Sequence, residues 1–549
     1  TIRLVMKASA ADLWDHLAAT YENQVFLTLE EPCPLGIVDG SELTYVGMRD
    51  GVARLARVLV DEGVSPGSRV ALCAGNRVDY AIALFAIIRA GAVAVPLHHH
   101  LTPNEVQQLV KLSKAKILIC DPRVVLKQRG LKCLSLAPGD TLDVESVQAH
   151  PLVPAMIDPE ATCAILFTSG TTGTPKGAEL TSKSLLAITR LAVLTPDGAN
   201  EQAVCGLPLA HIMGLSTLLS TAMAGARIHW LSTFDPKAVL DGLVRLRATF
   251  FVGVPAMYAM LAEHAPERRD LSSVRIWVSG ADAMSPALAE RFRRMGCSLK
   301  SPRGRPLFTA AFAEIYGMVE LSGPAILRFT PPSPVDSKVS VSVRRLAERF
   351  TAARSALAAK LPGASRSVDN PRRGYTIPIP PYRVRIVDDS GQQAPAGVVG
   401  NLVVKGPGVT KGYLDNPEAT DQATKDGWLQ TGDLAVKSRL GQVTFVSRKK
   451  DVVKHGGYSV FPAEIEARLV HHEDILEAVV LGAPHPTKGQ IPVAVVVLNA
   501  HAKSTEEDLL AWCRETFAAY KAPRALVFRK PADIPRNDNR KVLKDALLT

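Results

Sequence analysis

The apolar run Ala164-Ile-Leu-Phe167 leads straight into Thr168-Ser-Gly-Thr-Thr-Gly-Thr-Pro-Lys-Gly177. Four successive apolar residues of this kind predict a buried strand. The segment after it packs hydroxyls, glycines and one lysine into a single turn. Glycine permits positive φ and close approach of backbone to an anion. Successive N–H groups, with the hydroxyls of Thr168, Ser169, Thr171, Thr172 and Thr174, can then wrap phosphate oxygens. Lys176 adds a positive charge on a flexible stem. The reading is a strand followed by a polyphosphate-binding loop. The Walker spacing G-x-x-x-x-G-K-[ST] is absent.

Three later segments follow in order: Glu314-Ile-Tyr-Gly-Met-Val-Glu-Leu-Ser322, Trp428-Leu-Gln-Thr-Gly-Asp433 running on to Ser447-Arg-Lys-Lys-Asp-Val-Val-Lys-His-Gly-Gly457, and Ile534-Pro-Arg-Asn-Asp-Asn-Arg-Lys-Val-Leu-Lys544. With the loop at 166–177, they resemble the adenylate-forming superfamily of acyl-CoA synthetases, peptide-synthetase adenylation domains and luciferases. Within it, the chain is most similar to a fatty acyl-CoA ligase. The likeness spans residues 166 to 544. It implies that ATP activates a carboxylic acid to an acyl-AMP with release of pyrophosphate, and that coenzyme A then takes the acyl group as a thioester.

The resemblance also implies residue roles. Thr168, Ser169, Gly170, Thr171, Thr172, Gly173 and Lys176 would hold phosphates. Gly280 and Ala281, within Ser279-Gly-Ala-Asp-Ala283, would run backbone along adenine, with Asp282 in place of the usual residue. Tyr316, Gly317, Met318 and Val319 would continue the nucleotide site, the Tyr316 ring stacking on the base. Glu320 would hold Mg²⁺, a hard cation suited to carboxylate and phosphate oxygens, with Thr168 as a further oxygen ligand. Asp433 would accept from the ribose hydroxyls, and Arg448 would bind ribose or phosphate. Lys450 would be the hinge. Lys454, Gly456 and Gly457 would line the pantetheine slot. Lys541 would be the catalytic lysine, and Lys544, further on, a solvated one. Within Pro208-Leu-Ala-His-Ile-Met-Gly214, His211 would flank an acyl pocket, with Leu215 and Met284. Two positions depart from the family pattern. Val319 stands where threonine is usual and so lacks a hydroxyl for the α-phosphate. Arg540 replaces a glycine beside Lys541.

Strand-like and helix-like runs alternate at 69–73, 78–90, 92–96, 102–114 and 116–120, which predicts a parallel sheet. Thr102-Pro-Asn-Glu105 is a capping box with proline at the first helical position. The rhythm returns from 203 to 280. From 382 it changes to short strands separated by turns. Beyond the hinge, 462–470 and 505–520 read as helices, and 478–481 and 493–498 as strands. The fold class expected is α/β: a large N-terminal domain of parallel α/β layered subdomains with a small antiparallel part (1–446), a hinge at 447–451, and a small mobile α+β C-terminal domain (452–549).

The chain has 549 residues, too many for one core, and no apolar run approaches the roughly 20 residues of a membrane span. Its start has no signal-peptide pattern. Eight cysteines without a C-x-x-C pair read as buried free thiols in a reducing, cytoplasmic compartment. His98-His-His100 reads as a loop, since three adjacent side chains cannot easily face one ion. The net charge is +11. Ten basic residues against three acidic ones fall within 326–373, which reads as a basic insertion. Inside it, Leu346, Phe350, Ala353, Leu357 and Leu361 recur at helical spacing. The segment 338–366 is expected to pack its stripe on the protein itself or to lie on a membrane surface. Stacking aromatics are too few there for nucleic-acid binding. The pocket segments around 208–217, 250–258, 279–284 and 312–324 are mostly apolar, which points to an unsubstituted medium- or long-chain acid. Two alternatives stand beside this reading. One is a fatty acyl-AMP ligase that loads an acyl carrier protein, and the other a catalytically weakened acyl- or nucleotide-binding homologue.

Overall fold

Residues 70–73 and 93–97 are apolar throughout, as strands buried on both faces must be. The structure is a computed structural model that describes residues 9–30, 41–121, 124, 126, 129–136, 142, 152–168, 175–189, 198–282, 284–335, 375–439, 441–456, 458–499, 501–536 and 542–547. The strands Arg69–Cys73 and Val93–Leu97 lie parallel, and the helix Val78–Arg89 between them is buried at every position. Parallel neighbours Ile117–Cys120, Lys132–Ser135 and Thr162–Thr168 extend this sheet. The antiparallel strands Lys176–Thr181 and Gly412–Tyr413 complete its seven strands.

A second sheet has nine strands. Its interior is parallel, from Val25–Leu29 through Arg227–Trp230, Gln202–Cys205, Phe250–Gly253 and Ile276–Gly280 to Ala311–Met318. Antiparallel strands close both edges: Glu42–Thr44 on one side, Gly323–Thr330 and Tyr375–Pro378 on the other. The inner faces of the two sheets share one core with the helices Tyr45–Asp61, Val78–Arg89 and Ile212–Ala224. Asn76 joins the two layers: its Nδ2 donates to Leu207 O at 3.1 Å and Leu231 O at 3.3 Å, and its Oδ1 accepts from Leu209 N at 2.8 Å. The expected parallel α/β layers are therefore present.

The short strands after residue 382 form a five-stranded antiparallel sheet from Arg383–Val387, Val399–Lys405, Thr424–Lys425, Trp428–Lys437 and Val443–Arg448. Residues from Val453 onward build another five-stranded sheet, dominated by the long hairpin Ile475–His485 and Gly489–Leu498. Helices Pro462–Leu469 and Glu506–Thr516 accompany it. The second helix is shorter than the expected 505–520, because Phe517 is already extended at φ −113°, ψ 148°.

Two expectations change. Residues 326–330 belong to the strand Gly323–Thr330, with Ile326 and Leu327 buried, so the basic segment does not begin at 326. Its proposed amphipathic helix, 338–366, lies outside the described residues. The described cysteines are all free, but Cys133 is exposed rather than buried. No helix among the described residues is long and apolar enough to cross a membrane.

Candidate active site

Two antiparallel strands flank the glycine- and hydroxyl-rich segment. Its two flanks, Thr162–Thr168 and Lys176–Thr181, pair antiparallel with Thr168 opposite Lys176, and Thr168 Oγ1 donates to Lys176 O at 3.4 Å. Residues 169–174 lie outside the described residues. The Lys176 ammonium stands over the Tyr413 ring, 5.4 Å from its centroid.

Glu320 reaches the same place by a sharp reversal. The strand Ala311–Met318 ends in a single 3₁₀ turn, Val319–Leu321, and returns as Gly323–Thr330. Ser322 takes φ +53° and Gly323 φ +124°. A Cβ on Gly317 would lie 2.2 Å from Gly323 O, so only glycine lets the two strands approach this closely. Glu320 is thereby buried, and Tyr413 Oη donates to its Oε1 at 2.8 Å. Burial, with the Glu320 carboxylate beside it, pushes the Tyr413 phenol well above its ordinary value. Val319 packs on Ala164, Leu166 and Leu180, beneath the paired strands.

Asp433 lies in the strand Trp428–Lys437, directly across from Arg448. It is 4 % exposed. Tyr316 Oη donates to its Oδ2 at 2.6 Å, and Arg448 Nε is 3.6 Å from its Oδ1. Gly432 at φ +74° and the Thr431 hydroxyl, which accepts from Asp433 N at 3.1 Å, set the backbone here. Burial, then the Asp433 charge, drives the Tyr316 phenol well above its ordinary range, so Tyr316 remains a hydrogen-bond donor. A cavity of about 350 Å³ beside this pair is lined by Thr431, Gly432, Arg448, Lys449 and Lys450. The expected hinge residue Lys450 thus faces the same opening as Arg448.

The expected adenine segment leaves the strand Ile276–Gly280 with Ala281 at φ +70°, a conformation unusual for any residue but glycine. Met318 is the last residue of its strand and is half-buried. A Cβ on Gly280 would meet Ile315 Cγ1 at 2.7 Å and Met213 Cε at 2.9 Å. These two apolar side chains therefore close over the glycine, and neither was singled out from the sequence.

His211 precedes the helix Ile212–Ala224 and stacks on His98, ring centroids 5.0 Å apart. Burial, then His99, holds the His211 imidazole down to about 4; burial, then His211, holds His98 down to about 3. His99 and His100 pack on the same group of rings. Leu215 and Met284 are not brought together. Leu215 belongs to the core between the sheets, whereas Met284 packs with Phe251, Tyr258, Trp277 and Phe292 in a separate cluster.

Within the strand Val453–His455, Lys454 Nζ donates to Ser459 Oγ at 2.8 Å, and after it Gly456 takes φ +54°. Gly457, Arg540 and Lys541 lie outside the described residues. The flanks of Lys541 are fixed: Arg536 pairs with Glu477 at 2.6 Å, and Lys544 with Glu466 at 2.7 Å. Lys544 is therefore paired rather than solvated, its ammonium opposing the cost of burying the Glu466 carboxylate.

The described residues contain no group of three or more His, Cys, Asp or Glu side chains able to hold a metal. Mg²⁺ takes one or two carboxylates and fills its remaining positions with phosphate oxygens and water. Glu320 and Thr168 offer hard oxygens of this kind.

A family model described as "AMP-binding enzyme" matches residues 15–414, and one described as "AMP-binding enzyme C-terminal domain" matches residues 464–541. Feruloyl-CoA synthase of Amycolatopsis sp is 33% identical over 510 residues, covering 92% of this chain and 93% of that protein. 4-Coumarate–CoA ligase 2 of Oryza sativa subsp. japonica is 30% identical over 557 residues, covering 94% and 89%. Among solved structures, ATP-bound MatB from Rhodopseudomonas palustris superposes with a TM-score of 0.76 at 26% identity, covering 98% of each chain.

Proposed function

The chain belongs to the AMP-binding enzyme family as an AMP-forming acid–CoA ligase, and from that premise we propose that its acid is a compact aryl or arylalkenyl carboxylate. Two observations support this. Relatives matching more than nine-tenths of this chain are a feruloyl-CoA synthase and a 4-coumarate–CoA ligase. No lysine or arginine occurs in 208–217, 250–258, 279–284 or 311–324, so a second carboxylate has no partner there. An unsubstituted medium- or long-chain fatty acid is the second reading, favoured by the same lack of polar partners.

The chemistry brings two anions together, the substrate carboxylate and the α-phosphate of ATP. Charge must be neutralised and the groups held in line. The single observation that carries the reading is Asp433, buried opposite Arg448 with the Tyr316 phenol on its second oxygen. Asp433 would accept from the ribose hydroxyls. Arg448 and Lys176 would take phosphate charge, and Lys541 would bridge carboxylate and phosphate. A carboxylate oxygen attacks the α-phosphorus, the bond from that phosphorus to the bridging oxygen breaks, and pyrophosphate leaves. Mg²⁺, held by Glu320 with Thr168, would supply charge neutralisation on the phosphates. In the second half-reaction, the thiolate of coenzyme A attacks the acyl carbon and AMP leaves. The segment around Lys454, Gly456 and Gly457 would line its path. We place the pivot between the two half-reactions at 447–451, joining 1–446 to 452–549.

The test is pyrophosphate release with cinnamic, 4-coumaric, ferulic, benzoic, hexanoic and dodecanoic acids, with products identified by mass spectrometry in the presence of coenzyme A. An aryl thioester formed with the highest kcat/KM is expected. Preference for dodecanoate would establish the second reading. Acyl-AMP accumulating without thioester would transfer the chain to the carrier-protein ligases.

A further inference from the structure

Tyr413 sits between the two charges that a polyphosphate site most needs. Its ring lies under the Lys176 ammonium at 5.4 Å, and its hydroxyl donates to Glu320 at 2.8 Å. No ion pair joins Lys176 to Glu320 among the described residues. The backbone carrying Tyr413 is fixed from several sides. Tyr413 pairs with Ala178, and Leu414 N donates to Gly177 O at 2.8 Å. Thr410 N donates to Glu320 O at 2.8 Å, and Thr410 Oγ1 to Glu179 O at 2.7 Å. Tyr413 N donates to Thr420 Oγ1 at 2.9 Å. The sheet edge thus holds the backbone at Tyr413, and the hydroxyl's bond to Glu320 holds the ring.

From this geometry we propose that Tyr413 is a positioning residue of the adenylation step, a spacer that keeps Lys176 and Glu320 from neutralising each other and presents both to metal-bound ATP. The inference rests on the adenylation reading above. The hydroxyl occupies one lone pair of Oε1 and orients the carboxylate. That orientation matters because Mg²⁺ demands near-ideal octahedral geometry, and groups that orient a metal ligand are worth about 10–100-fold in affinity. The ring holds the ammonium by cation–π attraction. Without it, the flexible lysine would fold onto the buried carboxylate, and each charge would be lost to the phosphates.

The probes are ATP alone, with EDTA, in calorimetry, and Mn²⁺ with ATP, counted by electron paramagnetic resonance. Tyr413→Phe keeps the ring and loses the hydroxyl. It should weaken Mn²⁺ binding about tenfold, leave the affinity for metal-free ATP unchanged, and lower kcat with little change in the KM for the acid. Tyr413→Leu should in addition weaken metal-free ATP about fivefold, the scale of one surface cation–π contact or ion pair. Adding Glu320→Gln to Tyr413→Leu should restore metal-free ATP binding, because the competing carboxylate is gone. Wild-type Mn²⁺ affinity in Tyr413→Phe overturns the proposal, as does a double variant that recovers nothing. The phenylalanine variant preserves shape, so the test stands if the leucine variant does not fold. Failure of the wild-type chain to bind Mn²⁺ with ATP would instead refute the adenylation reading itself.

Discussion

The Tyr316 hydroxyl donates to Asp433 Oδ2 at 2.6 Å across a gap of 117 residues in sequence. The bond joins the nine-stranded sheet, at its strand Ala311–Met318, to the small antiparallel sheet, and it fixes the carboxylate proposed to hold ribose. Asp433→Asn keeps the shape and removes the charge. A hydrogen bond to a charged group contributes about 1.5–3 kcal/mol, so kcat/KM for ATP should fall roughly 10–100-fold while the KM for the acid holds. Pyrophosphate-release kinetics check this; an unchanged KM for ATP would remove Asp433 from the nucleotide site.

Lys541→Ala should reduce acyl-AMP formation by about 100-fold or more and leave thioester formation from synthetic acyl-AMP intact. The two half-reactions are measured separately by mass spectrometry. Equal loss of both would contradict the assignment.

Val319 packs against Ala164, Leu166 and Leu180, so its methyls serve the paired strands that flank the proposed phosphate loop. Val319→Thr retains one methyl and adds a donor. It should raise the adenylation rate about fivefold, the value of one neutral hydrogen bond, at about 1 kcal/mol of stability. A stability loss with no rate gain would mean that the hydroxyl does not reach the phosphate.

His98 is buried and held down to about 3, against about 6.5 in an unfolded chain. Below pH 6.5 the unfolded state takes up a proton that the folded state refuses. Stability therefore rises with pH between about 3 and 6.5, and is fully present above that window. At pH 5.5 the loss from this one group is about 1.4 kcal/mol. Urea unfolding at pH 8 and pH 5.5 measures it, and His98→Asn should flatten the difference by about that amount. An identical pH slope in the variant would show that another group controls it.

The sequence made some of this legible and hid the rest for physical reasons. The parallel layers are visible because strands buried on both faces read as unbroken apolar runs. The strand Thr162–Thr168 is visible because its run 164–167 is unbroken and apolar. Tyr413 is not visible: it belongs to a two-residue strand, 93 residues from Glu320, and nothing local marks so distant a pairing. Lys544 reads as solvated because basic tails usually are, yet its partner Glu466 lies 78 residues away. Residues 326–330 read as the start of a basic segment because Arg328 precedes a run of charge. In the sheet, that side chain is exposed and reaches Glu314 at 3.3 Å, while Ile326 and Leu327 are buried.

The strand Gly412–Tyr413 closes the seven-stranded sheet with a segment made 231 residues after its neighbour. At a ribosomal pace of about 5–20 residues per second, the half-built protein spends on the order of ten seconds to a minute with Lys176–Thr181 as a naked edge. Unpaired edges recruit foreign strands, so slowed translation between codons 181 and 412 would favour aggregates, and a truncated product stopping short of 412 would keep that edge open permanently.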